Sequence, residues 1–275
     1  MRKLAPPPFF SRVTHKRTTL FTSSKKLQPT EQRELESQML VSFSKESYKR
    51  SHSIITLESS LPDKRSLFCK TQTLRHRNSK LRSTMHALGL NTRAPAIAEI
   101  KNNLITLQKR YTPDLIGYGL ERNQFGIINK VLIITDLLEE SITLQDFIKR
   151  NPDKTNQAII AAFNIIGKSI SEGMLHLDCW IGNILTNSTL SQLHLIDLEY
   201  CKFNSKSSTT DQLIFSLGYL YGYQLNKYIS NEEYFLIMEH WLTENFKDLD
   251  NNKITEGARA ASLNIASRKQ RMIEF

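Results

Sequence analysis

The sequence predicts an α+β protein, with a sheet-forming front half carrying one helix and a mainly helical back half. Three observations carry this. Short apolar or alternating runs bounded by turn residues fall at 53–57, 66–71, 114–119 and 130–135. Segments 93–110 and 156–172 repeat apolar residues at helical spacing. Beyond residue 210, three more helical segments follow, at 211–228, 232–246 and 254–271. Strands with one helix, then helices alone, point to a small sheet lobe and a larger helical lobe.

A chain of 275 residues with 40% apolar content can bury a real core, as one bilobal domain or two small ones. Its net charge of +10 is uneven: residues 1–110 hold 22 Lys/Arg against 7 Asp/Glu, and residues 111–275 hold 15 against 20. A basic front half suits an anionic partner, such as nucleotide phosphates, an anionic membrane, a phosphorylated glycan or nucleic acid; a solvated basic tail would look the same. Cys69, Cys179 and Cys201 show no metal-ligand spacing. Their odd number argues against a disulfide framework and for a reducing compartment. No apolar run approaches the ~20 residues that span a bilayer. The start of the chain is broken by three prolines at 6–8 and is no signal peptide. The expected address is cytoplasmic, with peripheral contact at the inner face of the cytoplasmic membrane compatible with the basic front.

In chain order, residues 1–37 are basic, polar and Pro/Ser/Thr-rich, and are expected to form a mobile arm, with a short helix at 31–40. The sheet lobe is expected over 38–135. Strands at 53–57 and 66–71 flank a turn at 59–64, and a basic connector covers 75–82. The helix at 93–110 gathers Ala94, Ile97, Ala98, Leu104, Ile105 and Leu107 on one face, with Glu99 among them, and Pro113 ends it. Strands at 114–119 and 130–135 flank a turn, and the wholly apolar run 131–134 marks a central strand. The helical lobe is expected over 136–275. Its long helix at 156–172 carries a stripe of Ile159, Ile160, Phe163, Ile166 and Ile170, and Gly173 ends it.

The chemistry-bearing residues follow at once. Asp178, in a loop after a helix end, can orient an acceptor hydroxyl or take its proton. Asn183 offers a hard, neutral oxygen to magnesium without adding charge beside a triphosphate. Asp197 ends the apolar run 193–196, where a strand-end carboxylate can bridge magnesium to phosphates. His176 fits a structural role, pinning the loop through its ring nitrogens. Each residue also has a plain reading: Asp178 as a turn carboxylate and Asn183 as a turn amide.

His176-x-Asp178-x4-Asn183 followed by Asp197 resembles the catalytic loop and metal-binding Asp of the protein-kinase-like superfamily. Leu177 stands where that pattern has Arg, and Leu198-Glu199 where it has Phe-Gly, which argues against a regulated protein kinase. No glycine precedes Gly89, so the glycine-rich loop is missing too. These departures, with Lys70 closing a strand, Arg93-x5-Glu99 and Thr112-Pro113, resemble the lipopolysaccharide core (Kdo/heptose) kinase family over about residues 64–220. The resemblance implies a bilobal protein-kinase-like fold, with a small β-sheet N-lobe carrying one helix and a larger, mainly helical C-lobe.

It also implies roles. Lys70 would grip the α/β phosphates of ATP and Glu99 would hold Lys70. Thr135 and Leu137 would lie along the adenine. Asn183 and Asp197 would hold Mg2+, and Asp211 would brace the catalytic loop. Lys70 could equally be an exposed strand lysine, Glu99 a solvated helix carboxylate and Asp211 a helix N-cap. The implied activity is phosphoryl transfer from ATP to a sugar hydroxyl of a lipopolysaccharide inner core, at an anionic membrane surface. A choline- or aminoglycoside-type phosphotransferase shares the motif, and a non-catalytic kinase-like binding module is a third reading. Few aromatics interleave the basic residues, which argues against nucleic-acid binding.

Overall fold

The structure is a computed structural model describing residues 4–44, 50–59, 64–90, 92, 94–107 and 109–274. The chain divides into two compact units: Met1–Lys109 with Pro113–Leu138, and Arg110–Thr112 with Glu139–Phe275. The expected α+β division holds, with the first unit built on an antiparallel sheet and the second mainly helical.

The first unit contains β1 (Phe10–His15), β2 (Thr18–Ser23), α1 (Pro29–Ser44), β3 (Arg50–Leu57), β4 (Arg65–Thr73), α2 (Arg77–Ala87), α3 (Pro95–Ile105), β5 (Leu115–Arg122) and β6 (Ile128–Asp136). The six strands run in the order β1-β2-β5-β6-β4-β3, all neighbours antiparallel. β6 is central, as its apolar run implies. Side chains alternate across a strand, so Val131 and Ile133 meet Ile97 and Ile100 of α3 on one face. Leu132 and Ile134 meet Leu35 and Met39 of α1 on the other. The run reads as unbroken apolar because helices cover both faces.

Three expectations change here. The stretch 10–37 is no arm: β1 and β2 form a hairpin that extends the sheet, and α1 covers its second face. Their polar composition misleads because few residues of an edge hairpin face the core. Polar anchors also hold α1: the Glu34 carboxylate accepts hydrogen bonds from the Glu58 and Ser59 amides, both at 2.9 Å. The basic connector at 75–82 is mostly helix, α2, which adds to the helices expected near 31–40 and 93–110. The helix expected at 93–110 spans Pro95–Ile105, with proline at its first turn; Arg93 lies outside the described residues. Leu35 is fully buried, so Leu35→Ala is expected to destabilise the first unit by about 2–5 kcal/mol. Urea unfolding read by circular dichroism checks this, and an unchanged midpoint would restore the arm.

The second unit contains β7 (Ile142–Thr143), α4 (Leu144–Arg150), α5 (Thr155–Ser171), β8 (Met174–His176), β9 (Ile184–Thr186), β10 (Leu193–Leu195), β11 (Cys201–Phe203), α6 (Thr209–Gly222), α7 (Asn231–Asn245), α8 (Asn251–Leu263) and α9 (Arg268–Glu274). Gly173 ends α5 at φ 81°, a left-handed position that suits glycine. Ile159, Phe163, Ile166 and Ile170 of α5 join Leu213, Leu217, Tyr234, Trp241 and Ile254 in one core. α6 lies close along α8: a Cβ at Gly218 would sit 2.6 Å from the Ala258 carbonyl oxygen.

The helix expected at 254–271 breaks in two. Ser267 and Gln270 form a reciprocal cap: Gln270 Oε1 accepts from the Ser267 amide at 2.8 Å, and Ser267 Oγ accepts from the Gln270 amide at 3.4 Å. That S-x-x-Q signature was present in the sequence, and it starts a new helix, α9.

Candidate functional site

The loop between α5 and β10 is stitched by one histidine. The Asp178 amide donates to His176 Nδ1 at 3.2 Å, and His176 Nε2 bonds the Ile196 carbonyl at 3.0 Å. This pairing places the proton on Nε2. One ring thereby ties the residue carrying Asp178 to the residue preceding Asp197. The Ile196 amide also donates to the Asn183 carbonyl at 3.0 Å. Burial holds the His176 pKa below its usual 6.5, so the ring stays neutral.

This has a sign for stability. A histidine with a depressed folded pKa contributes stability present above the unfolded pKa, and that contribution is lost as pH falls below it. Stability is therefore expected to decline below about pH 6.5, with a shallower slope in His176→Asn. Thermal melts from pH 7.5 to 5 check this; equal slopes would remove His176 from the account.

Asn183 is oriented. Its Nδ2 donates to the Asp178 carbonyl at 2.9 Å, which fixes the amide and leaves Oδ1 as its acceptor atom. Gly182 lies beside it, under the Trp180 ring, where a Cβ would force that ring to move. Asp197 adopts φ 59° and ψ 53°, the left-handed region that few non-glycine residues adopt and Asp tolerates best. Asp197 and Glu199 offer carboxylate oxygens within 4.8 Å of one another. An amide oxygen and carboxylates make a hard donor set that fits magnesium.

Asp178 is 1% exposed and its carboxylate is engaged on both oxygens. Oδ1 accepts from the Tyr219 hydroxyl at 2.7 Å and from Arg271 Nη2 at 3.1 Å. Oδ2 accepts from Arg268 Nη2 at 2.8 Å. Arg271 Nη1 donates to the Leu177 carbonyl. Tyr219 is held in a ladder on α6, stacked at 5.8 Å on Phe215 and 5.2 Å on Tyr223. A cleft of about 390 Å³ lies beside this ladder, lined by Asp211, Phe215, Tyr219 and Ile265.

Tyr219, Arg268 and Arg271 hold the Asp178 carboxylate, and Asp211, expected to brace the loop, bonds Ser208. Asp211 sits in the first turn of α6, where Ser208 Oγ donates to its carboxylate at 2.7 Å and accepts from its amide at 3.1 Å. Its side chain completes a helix start.

Within the first unit, Lys70 Nζ lies 2.7 Å from Glu99 Oε1, and both side chains are largely buried. The alternation of β4 explains this: Leu67 and Cys69 face the α1 side, so Lys70 faces α3, whose buried edge carries Glu99. Thr135 lies on β6 opposite Phe68. The Leu137 amide donates to the Ser66 carbonyl at 3.1 Å. Cys69, Cys179 and Cys201 are buried thiols outside any disulfide, and burial pushes the Cys179 thiol pKa up.

Sequence reasoning assigned no role to Glu199, Tyr219, Arg268 or Arg271. The capping signature at Ser267–Gln270 could have separated α9 from α8, but nothing local directs α9 toward Asp178.

No family model and no curated protein matches the chain. Among solved structures, the Cydia pomonella granulovirus kinase PK-1 is similar at 16% identity and TM-score 0.36, over 64% of this chain and 58% of that one. The bifunctional kinase-methyltransferase WbdD is similar at 11% identity and TM-score 0.42, over 76% of this chain and 45% of that one. The chain thus spans less than two thirds of either protein.

Proposed function

We propose that this chain is an ATP- and magnesium-dependent phosphotransferase that moves a γ-phosphoryl group to a sugar hydroxyl, with a Kdo- or heptose-bearing lipopolysaccharide core as acceptor class. The observation that carries the reading is the His176 bridge, which ties the segments of Asp178 and Asp197 together while Asn183 is oriented between them. In this reading Asp178 orients the acceptor hydroxyl and takes its proton, and Asn183 and Asp197 hold Mg2+. Lys70, fixed by Glu99, binds the ATP phosphates, and Thr135 and Leu137 lie along the adenine. Magnesium would supply charge neutralisation on the phosphates.

The two guanidiniums at Asp178 favour this acceptor class over the choline or aminoglycoside alternative. They place positive charge where the acceptor must arrive, which repels a cationic alcohol and suits a glycan bearing carboxylates or phosphates. Basic residues of the first unit suit the same anionic acceptor. Among the described residues, no helix is long and apolar enough to cross a membrane.

The test is transfer of labelled γ-phosphate from ATP to purified inner-core lipopolysaccharide, choline and an aminoglycoside. Label on the glycolipid supports the reading. Label on choline or the aminoglycoside transfers the assignment to the second class, and no magnesium-dependent ATP turnover with any acceptor, water included, overturns both.

A further inference from the structure

The loop that carries the proposed phosphotransfer chemistry has no cation of its own: residues 174–201 contain neither Lys nor Arg. Phosphoryl transfer spreads negative charge over the equatorial oxygens of the moving group, and catalysis depends on donors aimed at that charge. The cations at Asp178 come from the far end of the chain, on α9.

The two arginines of α9 differ in freedom. Arg271 is locked: its side chain is 4% exposed, its guanidinium lies 4.3 Å over the Tyr219 ring, and it bonds both Asp178 Oδ1 and the Leu177 carbonyl. Arg268 is held by less. Its side chain is 54% exposed, it meets Asp178 through Oδ2, and its guanidinium lies 5.1 Å from the Tyr200 ring. Two guanidiniums meet one carboxylate here, leaving a local surplus of positive charge. An acceptor hydroxyl must take one oxygen of Asp178, and Oδ2 is the one whose partner can turn away.

We infer that Arg268 is a catalytic residue of the proposed reaction: it yields Asp178 Oδ2 to the acceptor hydroxyl and donates to the γ-phosphoryl oxygens during transfer. The inference rests on the phosphotransferase reading. The acceptor oxygen bonds to the γ-phosphorus as the bond from phosphorus to the β,γ-bridging oxygen breaks, and that electron pair leaves on ADP. The acceptor proton passes to Asp178 and then to water. Arg268 forms no covalent bond; its N–H groups offset charge on the transferred group. Its exchange of one anion for another is open to a half-exposed side chain, and Arg271 meanwhile keeps Asp178 in place.

The experiment compares wild type, Arg268→Ala and Arg268→Lys, assaying [γ-32P]ATP with magnesium and either water or purified inner-core lipopolysaccharide as acceptor. Binding of a fluorescent ATP analogue and thermal melting run alongside. The expected result is a kcat about 10²- to 10³-fold lower in Arg268→Ala, with nucleotide affinity and melting temperature near wild type. Arg268→Lys should be intermediate, and millimolar guanidinium should restore part of the Arg268→Ala rate. A structural role would not give that rescue.

Arg268→Ala turning over at the wild-type rate overturns the inference alone. Arg268→Ala turning over faster also overturns it, and makes α9 a plug on Asp178. Wild-type protein that binds no ATP and turns none over overturns the phosphotransferase reading, and the inference falls with it.

Discussion

Asp178→Asn is expected to lower phosphotransfer by about 10²- to 10⁴-fold, the range for loss of a positioned acid-base group. It is also expected to destabilise the second unit. Asp178 and Arg271 are both nearly fully buried and bonded to each other. Removing one partner leaves the other charge buried without a counterion, which costs about 3–5 kcal/mol. A fall in activity alone could therefore be a fall in folded protein. The pair Asp178→Asn/Arg271→Met separates the two effects, because Met matches much of the arginine stem and carries no charge. The double variant should recover most of the melting temperature and none of the turnover. Recovery of turnover with stability would show that Asp178 acts only as the anchor of α9. Calorimetry and the labelled-ATP assay, run on the same preparations, give both readings.

The second large effect is expected at Asp197, where charge and backbone conformation can be changed separately. Its left-handed conformation is one that Asn also tolerates. Asp197→Asn should therefore keep the fold, with a melting temperature near wild type. Its activity should fall by about 10³-fold, because metal-assisted charge stabilisation is worth several kcal/mol and each 1.4 kcal/mol is tenfold in rate. The magnesium concentration for half-maximal rate should rise as well. Asp197→Ala keeps neither the charge nor the preference, and should lose stability in addition. An Asp197→Asn protein with wild-type turnover and magnesium dependence would remove Asp197 from the metal site.

The difference between the two acids lies in their neighbours. Asp178 is held by side chains from α6 and α9, so its substitution is felt in the core. Asp197 is placed by its backbone, through Ile196 bonding to His176 and Asn183.

Much of the fold was legible because the signals are local. The stripe of α5 and its glycine stop lie within nineteen consecutive residues, 155–173. The apolar run of β6 announces a central strand. The spacing of His176, Asp178 and Asn183 is local too, which is why a single loop can bring them together. Where the reading failed, composition stood in for pattern. The basic, polar first 37 residues suggested a tail, yet Leu20, Leu27 and Leu35 are core residues of the sheet face they cover. A β6 run apolar on both faces required a second cover, and that requirement could have exposed the error.

Sequence alone determined the α+β order, the glycine stop of α5, and which loop carries two acids and an amide at a spacing that suits phosphate chemistry. These depend on periodicity, turn residues and short-range hydrogen bonds, all written along a few consecutive residues. Tertiary structure alone decided that β1 and β2 complete the sheet with α1 covering it, and that Arg268 and Arg271 come from 90 and 93 residues away to close on Asp178. The physical reason is that a side chain's partner across such a distance is set by how helices pack. Here that is the close approach of α6 to α8 and the break at 264–267, which turns α9 back onto the loop.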